Sequence, residues 1–118
     1  KGKTQLEADM IFEDALAVLD SGAFAVVLEG IPANLAEKIT KELHVPTVGI
    51  GAGPHCDGQI QVYHDLMGLY GEMTPKHCKQ YGNLEVQIKN MLMEYKTDVE
   101  EKNFPNEKNY TTSKLLSK

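Results

Sequence analysis

The sequence predicts an α/β fold with a parallel sheet, and three observations support this prediction. Two short apolar segments bounded by Gly and Pro, residues 24–28 and 45–50, are typical of buried strands. Each follows a segment with the length and periodicity of an amphipathic helix. The second apolar segment leads directly into a glycine loop at residues 51–54. Because helices separate the strands, right-handed crossovers should place the strands side by side and parallel.

The first helix is predicted over residues 4–21, and Gly22 should end it in the left-handed conformation. Its apolar positions form one stripe, made of Ala8, Phe12, Ala15, Leu16 and Leu19. The first strand follows at residues 24–28. Since this strand is apolar without interruption, we expect both of its faces to be buried.

The second helix should begin at Asn34, whose side chain can cap the first turn while Glu37 completes a capping box. Its buried face is predicted to contain Leu35, Ile39 and Leu43. The second strand, residues 45–50, tolerates Pro46 because this residue lies near its start.

The carboxyl-terminal half contains a short and a long predicted helix. Asp57 is expected to cap the short helix, which includes Ile60, Tyr63 and Met67. Residues 67–80 are less regular, because Gly and Pro interrupt them. Asn83 should cap the long helix. The apolar face of this helix, which we expect to pack against a core, contains Leu84, Ile88, Met91, Leu92, Tyr95 and Val99.

The predicted domain covers residues 1–99, and residues 100–118 form a predicted polar arm or disordered tail. Within the tail, Phe104-Pro105 is the one expected anchor. Two strands alone leave a sheet edge open and one face uncovered. Because the chain also lacks an initiator Met, we expect it to be a piece of a larger domain.

The composition argues against nucleic acid as a partner and against a membrane span. A net charge of −5 argues against nucleic acid, and no apolar run approaches the ~18 residues that a membrane span needs. All 12 basic residues are Lys, so this chain has no Arg to grip a carboxylate or phosphate bidentately. The 2 cysteines, Cys56 and Cys78, form no C-x-x-C pair and are predicted to be free thiols.

Glu29 is the candidate catalytic residue, since it follows the first strand directly. Carboxyl ends of strands are where parallel α/β folds place their chemistry. From the residues alone, two roles stay open for Glu29: a structural ion pair with a cation, or a general base.

The glycine loop is the second candidate. Glycines alternate at positions 49, 51 and 53, which differs from the G-x-G-x-x-G pattern of dinucleotide-binding proteins. Gly51 and Gly53 could line a substrate site and offer backbone N–H groups to an anion, or they could serve tight packing alone. No metal site is predicted in this segment: adjacent side chains such as His55-Cys56-Asp57 rarely converge on one ion, and we interpret His64-Asp65 as structural.

Together these segments resemble the ketopantoate hydroxymethyltransferase family. The resemblance covers about residues 1–105 and rests on four segments in order and spacing. They are residues 24–32 with Glu29, residues 45–59 (VPTVGIGAGPHCDGQ), His64-Asp65, and residues 74–81. One departure is visible at His77 and Cys78, where the family more usually has an aromatic residue after the Thr-Pro-Lys sequence.

The resemblance implies the carboxyl-terminal part of a (β/α)₈ TIM barrel, with residues 24–28 and 47–50 as its last two strands. It implies transfer of a hydroxymethyl group from 5,10-methylenetetrahydrofolate to 3-methyl-2-oxobutanoate, giving 2-dehydropantoate for pantothenate and coenzyme A biosynthesis. Glu29 matches the family's catalytic proton acceptor. Mg²⁺ ligands and the substrate-holding residues are expected upstream of this segment. The family also implies a decameric homo-oligomer, in the cytoplasm or, in a eukaryote, the mitochondrion.

Two other hypotheses stay open. One is a related enolate-stabilising barrel of the phosphoenolpyruvate mutase or isocitrate lyase type, which needs no folate. The other is an inactive, truncated association module. For the segment by itself we expect no turnover and a partly molten state, because its strands lack neighbours.

Overall fold

The computed structural model describes residues 1–71 and 73–116. Glu72, in the predicted irregular region, and residues 117–118, in the predicted tail, lie outside the described residues. The elements are α1 (Gln5–Asp20), β1 (Val26–Glu29), α2 (Ala33–Glu42), β2 (Thr47–Ile50), β3 (Gly58–Gln59), α3 (Tyr63–Met67), α4 (Leu84–Glu100) and a final 3₁₀ turn (Lys114–Leu116).

The sheet is parallel throughout the described residues, with the strand order β1-β2-β3. This confirms the predicted α/β class and the parallel pairing of the first two strands. The third strand was not predicted, since Gly58–Gln59 is short and polar. It is held beside β2 by the Ile60 N–H, which donates to the Gly49 carbonyl at 3.0 Å.

Helix α1 begins with a capping box that the sequence interpretation did not identify. The Thr4 hydroxyl accepts a hydrogen bond from the Glu7 N–H at 3.3 Å, and the Glu7 carboxylate accepts from the Thr4 N–H at 3.4 Å. These backbone donors, with Thr4 first and Lys3 next, hold the pKa of Glu7 below its ordinary value. The helix ends at Ser21, and Gly22 follows with φ 95°, which confirms the predicted stop.

The core lies between α1, α2 and one face of the sheet. Its buried members are Ala15, Val26, Leu28, Leu35, Ala36, Ile39, Leu43, Ala52 and Cys56. The remaining residues of the predicted α1 stripe pack against this cluster, and the predicted buried face of α2 lies inside it. The helix faces predicted from periodicity are therefore confirmed.

The prediction that the first strand is buried on both faces is wrong for this chain. The strand begins at Val26 rather than at Phe24, and its residues alternate between buried and exposed. Val27 is 59% exposed and Phe24 is 89% exposed. Helices α1 and α2 cover the side that carries Val26 and Leu28, whereas Val27 and Glu29 on the other side are exposed.

The predicted cap of the second helix is also wrong. Pro32, with φ −58°, is the N-cap, since its fixed φ lets the helix start at the next residue. Asn34 is thus already inside the first turn, and its side-chain oxygen accepts a hydrogen bond from the neighbouring Leu35 N–H. Glu37 instead pairs with Lys41 at 2.6 Å, and the pKa of Glu37 is lowered chiefly by that hydrogen bond and charge.

Asp57 does not cap a helix, contrary to the prediction. Strand β3 begins at the next residue, and α3 starts only after Val62. Asp57 instead accepts a hydrogen bond from the Thr47 N–H at 2.9 Å. It therefore secures the beginning of β2.

Helix α4 begins at Asn83, whose side chain accepts a hydrogen bond from the Val86 N–H, as predicted. The expected burial of its apolar face is wrong for this chain, since Met91 is 59% and Leu92 62% exposed. The Cα radius of gyration is 25.2 Å, whereas a compact chain of this length has about 13–14 Å. Much apolar surface of the described residues therefore has no partner within the chain.

The predicted anchor of the tail is confirmed, because the Phe104 ring packs edge-on against Tyr95 with ring centroids 5.7 Å apart. Helix α4 ends at Glu100, close to the predicted boundary at residues 99–100. The division into domain and tail stays a prediction. Among the described residues, none of the helices has the length and apolar character needed to cross a membrane.

Candidate functional site

The carboxyl ends of β1 and β2 lie level with each other. Glu29 is the register partner of Ile50, and the Gly30 N–H donates to the Ile50 carbonyl at 2.9 Å. The residues that follow both strands therefore meet at one edge of the sheet, where parallel α/β folds place their sites.

The Glu29 side chain is exposed and lies on the uncovered face of β1, together with Val27. Within residues 1–71 and 73–116 its carboxylate makes no hydrogen bond and no ion pair. The structural-pair interpretation of Glu29 thus has no cation to support it in this part of the chain.

Each glycine of the loop meets a different neighbour. A Cβ at Gly49 would lie 2.9 Å from the Cys56 sulfur, and one at Gly51 would lie 3.0 Å from the His77 ring. A Cβ at Gly53 would overlap the Ala33 side chain at the start of α2. Gly51 and Gly53 also have φ values of 64° and 78°, which favour glycine. Tight packing therefore accounts for the alternating glycines.

The backbone of the loop nevertheless keeps free donors. Among the described residues, the N–H groups of Gly51 and Gly53 donate no hydrogen bond to protein atoms. The loop is held in place from the side, since the Gln59 amide donates to the Gly53 carbonyl at 2.9 Å. Packing and anion binding are consequently compatible at this loop.

Beside Glu29 lies an open cleft of about 1040 Å³. It is lined by Lys1, Lys3, Gly30, Ile31, Pro32, Ala33, Gly51, Gly53, Pro54, Gln59, Lys76 and His77. Both predicted loop residues, Gly51 and Gly53, line this cleft. Glu29 does not, although Gly30, the next residue, does. The structure thus places the predicted catalytic residue next to the cleft rather than inside it.

The lysines of the cleft were missed as site residues. Lys3 and Lys76 are far apart in the sequence, and only the fold brings them to the same edge of the sheet. No local motif signals this convergence. His77 was noticed only as a departure from the family pattern, and its ring lies against Gly51 in the structure.

The segments His55-Cys56-Asp57 and His64-Asp65 do not form metal sites. In the described part of the chain, no group of three or more His, Cys, Asp or Glu side chains could hold an ion. Cys56 is buried against Gly49, while the His64 ring stacks on Tyr70 with centroids 5.1 Å apart. The Cys78 thiol lies 3.7 Å from the Asp65 carboxylate. Burial first, and Asp65 second, raise the pKa of Cys78.

Comparison with known proteins identifies the family. A family model described as ketopantoate hydroxymethyltransferase matches residues 1–107. The chain belongs to the ketopantoate hydroxymethyltransferase family.

Curated relatives agree with this family. A 3-methyl-2-oxobutanoate hydroxymethyltransferase of Geobacter sulfurreducens is 51% identical over 107 residues, which cover 91% of this chain and 40% of the relative. The enzyme of the same name from Carboxydothermus hydrogenoformans is 47% identical over 112 residues, covering 95% of this chain and 41% of the relative. A 3-methyl-2-oxobutanoate hydroxymethyltransferase of Chloroflexus aurantiacus is 49% identical over 105 residues, which cover 89% of this chain and 37% of the relative.

This chain therefore spans about 40% of the length of the curated relatives that it matches. The resemblance to this family that the sequence analysis stated is confirmed.

Proposed function

We propose that the protein containing this chain transfers a hydroxymethyl group from 5,10-methylenetetrahydrofolate to 3-methyl-2-oxobutanoate. The product is 2-dehydropantoate, a precursor of pantothenate. The observation that carries this proposal is Glu29, a carboxylate at the carboxyl end of β1 that has no partner among the described residues and lies beside an open cleft. The family match supports the choice of substrates.

In this proposal the chain forms the last part of a (β/α)₈ barrel, with β1 and β2 as the last two strands. Two features support this. Val27 on the exposed face of β1 and Phe24 just before this strand are large apolar side chains that the rest of a barrel would cover. The extended shape of the chain, with a radius of gyration of 25.2 Å, also leaves apolar faces for other elements to bury.

Glu29 is proposed to remove the C3 proton of the 2-oxo acid. The C3–H electrons then pass into the adjacent carbonyl, which gives an enolate. Water adds to the methylene carbon of the folate, both of its C–N bonds break, the two nitrogens take protons, and tetrahydrofolate and formaldehyde result. C3 of the enolate bonds to the formaldehyde carbon, and the formaldehyde oxygen, now an alkoxide, takes the proton held by Glu29 and becomes the product hydroxyl. A carboxylate at a strand end suits the first step because it can be held next to the substrate carbon and partly out of water.

The family resemblance also suggests Mg²⁺, but the described residues of this chain do not fit a site for it. We therefore place the metal ligands and the groups that hold the oxo acid in the part of the protein outside this chain. A homo-oligomer, cytoplasmic location and the absence of nucleic acid or membrane partners remain part of the proposal.

A chimera tests the proposed function. In this hybrid protein, here named the Geobacter chimera, the chain replaces the matching 40% of the Geobacter sulfurreducens relative. We expect it to form 2-dehydropantoate from 3-methyl-2-oxobutanoate with an absolute requirement for 5,10-methylenetetrahydrofolate. The intact relative serves as the positive control.

Two outcomes would count against the proposal. One is a folded chimera, with the circular dichroism of the intact relative, that makes no product. The other is turnover of phosphoenolpyruvate or isocitrate without folate. The 118-residue chain assayed alone is expected to be inactive, because Glu29 would lack the rest of the site.

A further inference from the structure

The cleft beside Glu29 carries positive charge that no carboxylate of the described residues neutralises. Lys1, Lys3 and Lys76 line it, and in the described ranges their ammonium groups make no ion pair. None of the described residues that line the cleft is Asp or Glu. Across the whole chain, however, 17 acidic residues outnumber 12 basic ones. This local excess of cations indicates an anionic ligand.

Neutral donors and an apolar wall accompany the lysines. The backbone N–H groups of Gly51 and Gly53 are free in the described structure and belong to the cleft. Ile31 and Pro54 supply apolar lining on the same cleft. A ligand with carboxylates joined to an aromatic or aliphatic body would satisfy both kinds of surface.

Position and size favour the folate over the oxo acid. The cleft includes Gly30 but not Glu29, so a ligand in it would extend away from the reacting centre. Its volume of about 1040 Å³ suits a drug-sized molecule, and is far more than a five-carbon acid fills. A reduced folate has its one-carbon unit at one end and glutamate carboxylates at the other.

We infer that Lys3 and Lys76 bind the glutamate carboxylates of the reduced folate, with the Gly51 and Gly53 N–H groups as additional donors. Lys1 adds to the positive field of the cleft. This inference rests on the proposed function, which supplies the folate. It predicts a preference for polyglutamylated over monoglutamylated co-substrate, because each further carboxylate can meet a lysine.

Lys3→Gln and Lys76→Gln in the Geobacter chimera test the inference. Each is expected to raise KM for the triglutamyl form of 5,10-methylenetetrahydrofolate about threefold, and the double variant about tenfold, as for partly exposed ion pairs. The KM for the monoglutamyl form should rise less, while kcat and the KM for the oxo acid stay unchanged. Lys3→Arg and Lys76→Arg should retain the preference, and added salt should reduce it.

Lys89→Gln on α4 is the matched control, since Lys89 lies outside this cleft. An unchanged ratio of triglutamyl to monoglutamyl KM in the double variant overturns the inference while the proposed function stands. If the folded chimera shows no turnover, the proposed function fails, and calorimetric binding of mono- and triglutamyl 5-formyltetrahydrofolate to it decides the inference. Undetectable binding, or binding that the double variant leaves unchanged, then overturns it; weaker triglutamyl binding in that variant supports it.

Discussion

Hydrogen bonds between Asp57, which follows the glycine loop, and Thr47, at the beginning of β2, join the two ends of this segment. The Asp57 carboxylate accepts from the Thr47 N–H at 2.9 Å and from its hydroxyl at 3.3 Å, and the Asp57 N–H donates to the same hydroxyl at 3.3 Å. Thr47 is fully buried, and its hydroxyl also shares a hydrogen bond with Thr40 at 2.8 Å. These hydrogen bonds hold together the two ends of the segment that contains the loop.

Thr47→Val should destabilise the Geobacter chimera by about 1–2 kcal/mol, because it leaves buried polar groups without their shared partner. The measurement is the free energy of unfolding in urea. Thr112→Val, in the exposed tail, is the control and should change stability by less than about 0.5 kcal/mol. Equal values for the two variants would contradict a structural role for the Thr47 hydroxyl.

Gly53→Ala should cost more than an ordinary glycine replacement. The new Cβ would meet the Ala33 side chain, and φ at this position is 78°. We expect a loss of roughly 2–4 kcal/mol, of which about 1–2 kcal/mol is backbone strain. Urea unfolding of the chimera measures the total.

Gly22→Ala separates the two contributions to that loss, since Gly22 has φ 95° but no neighbouring atom within 4 Å of the position that a new Cβ would take. It should show the strain alone. Adding Ala33→Gly to Gly53→Ala should recover part of the difference. If Gly53→Ala costs no more than Gly22→Ala, the contact with Ala33 is not close enough to matter.

Glu29→Gln should abolish the proposed proton transfer without disturbing the fold. The side chain is exposed and has no hydrogen bond among the described residues, so its replacement by an isostere removes no structural contact. General-base catalysis typically contributes 10²–10⁴-fold, and we expect C3–H exchange of the oxo acid in deuterated water to slow by at least about 100-fold.

Nuclear magnetic resonance of the substrate reports this exchange directly, with or without folate. Glu94→Gln on α4 provides a matched control that should exchange at the unsubstituted rate. Wild-type exchange in Glu29→Gln would assign the base to another residue.

The Cys78 thiol should be alkylated more slowly than an unhindered cysteine at pH 8. Burial and the Asp65 carboxylate raise its pKa, so the thiol stays protonated to higher pH and the reactive thiolate is scarcer. Asp65→Asn should speed the reaction only in part, since burial is the larger cause and remains. Peptide mapping after iodoacetamide treatment follows Cys78 separately from buried Cys56.

Asp20→Asn, at the end of α1, controls for the loss of a carboxylate elsewhere. The rate of Cys78 alkylation in Asp65→Asn should exceed that in Asp20→Asn. The same rate in both variants would show that Asp65 does not influence the thiol.

Features encoded by local periodicity were predicted well. The stripes of α1 and α2 depend on spacing within one helix, and the strands at Val26–Glu29 and Thr47–Ile50 stand out as apolar runs. The position of Glu29 at a strand end follows from the same pattern. Each of these features can be predicted from the residues of a single helix or strand.

Features that depend on distant residues were missed. Asp57 was assigned to the helix after it, whereas its partner Thr47 lies ten residues earlier at the start of a strand. Strand β3 has only two residues, too few for a period. The cleft is lined by Lys3 and Lys76, which are far apart in the sequence, so the residues around either lysine do not reveal it.

The two unlike faces of β1 have a practical consequence for exchanging parts between relatives. Val26 and Leu28 pack against helices of the same chain, so their contacts are kept when the chain is placed in a new host. Phe24 and Val27 are exposed and would meet whatever the host supplies. Interchangeability should therefore depend on how well the host buries these exposed side chains. Choosing hosts that complement Phe24 and Val27 should matter more than overall sequence identity.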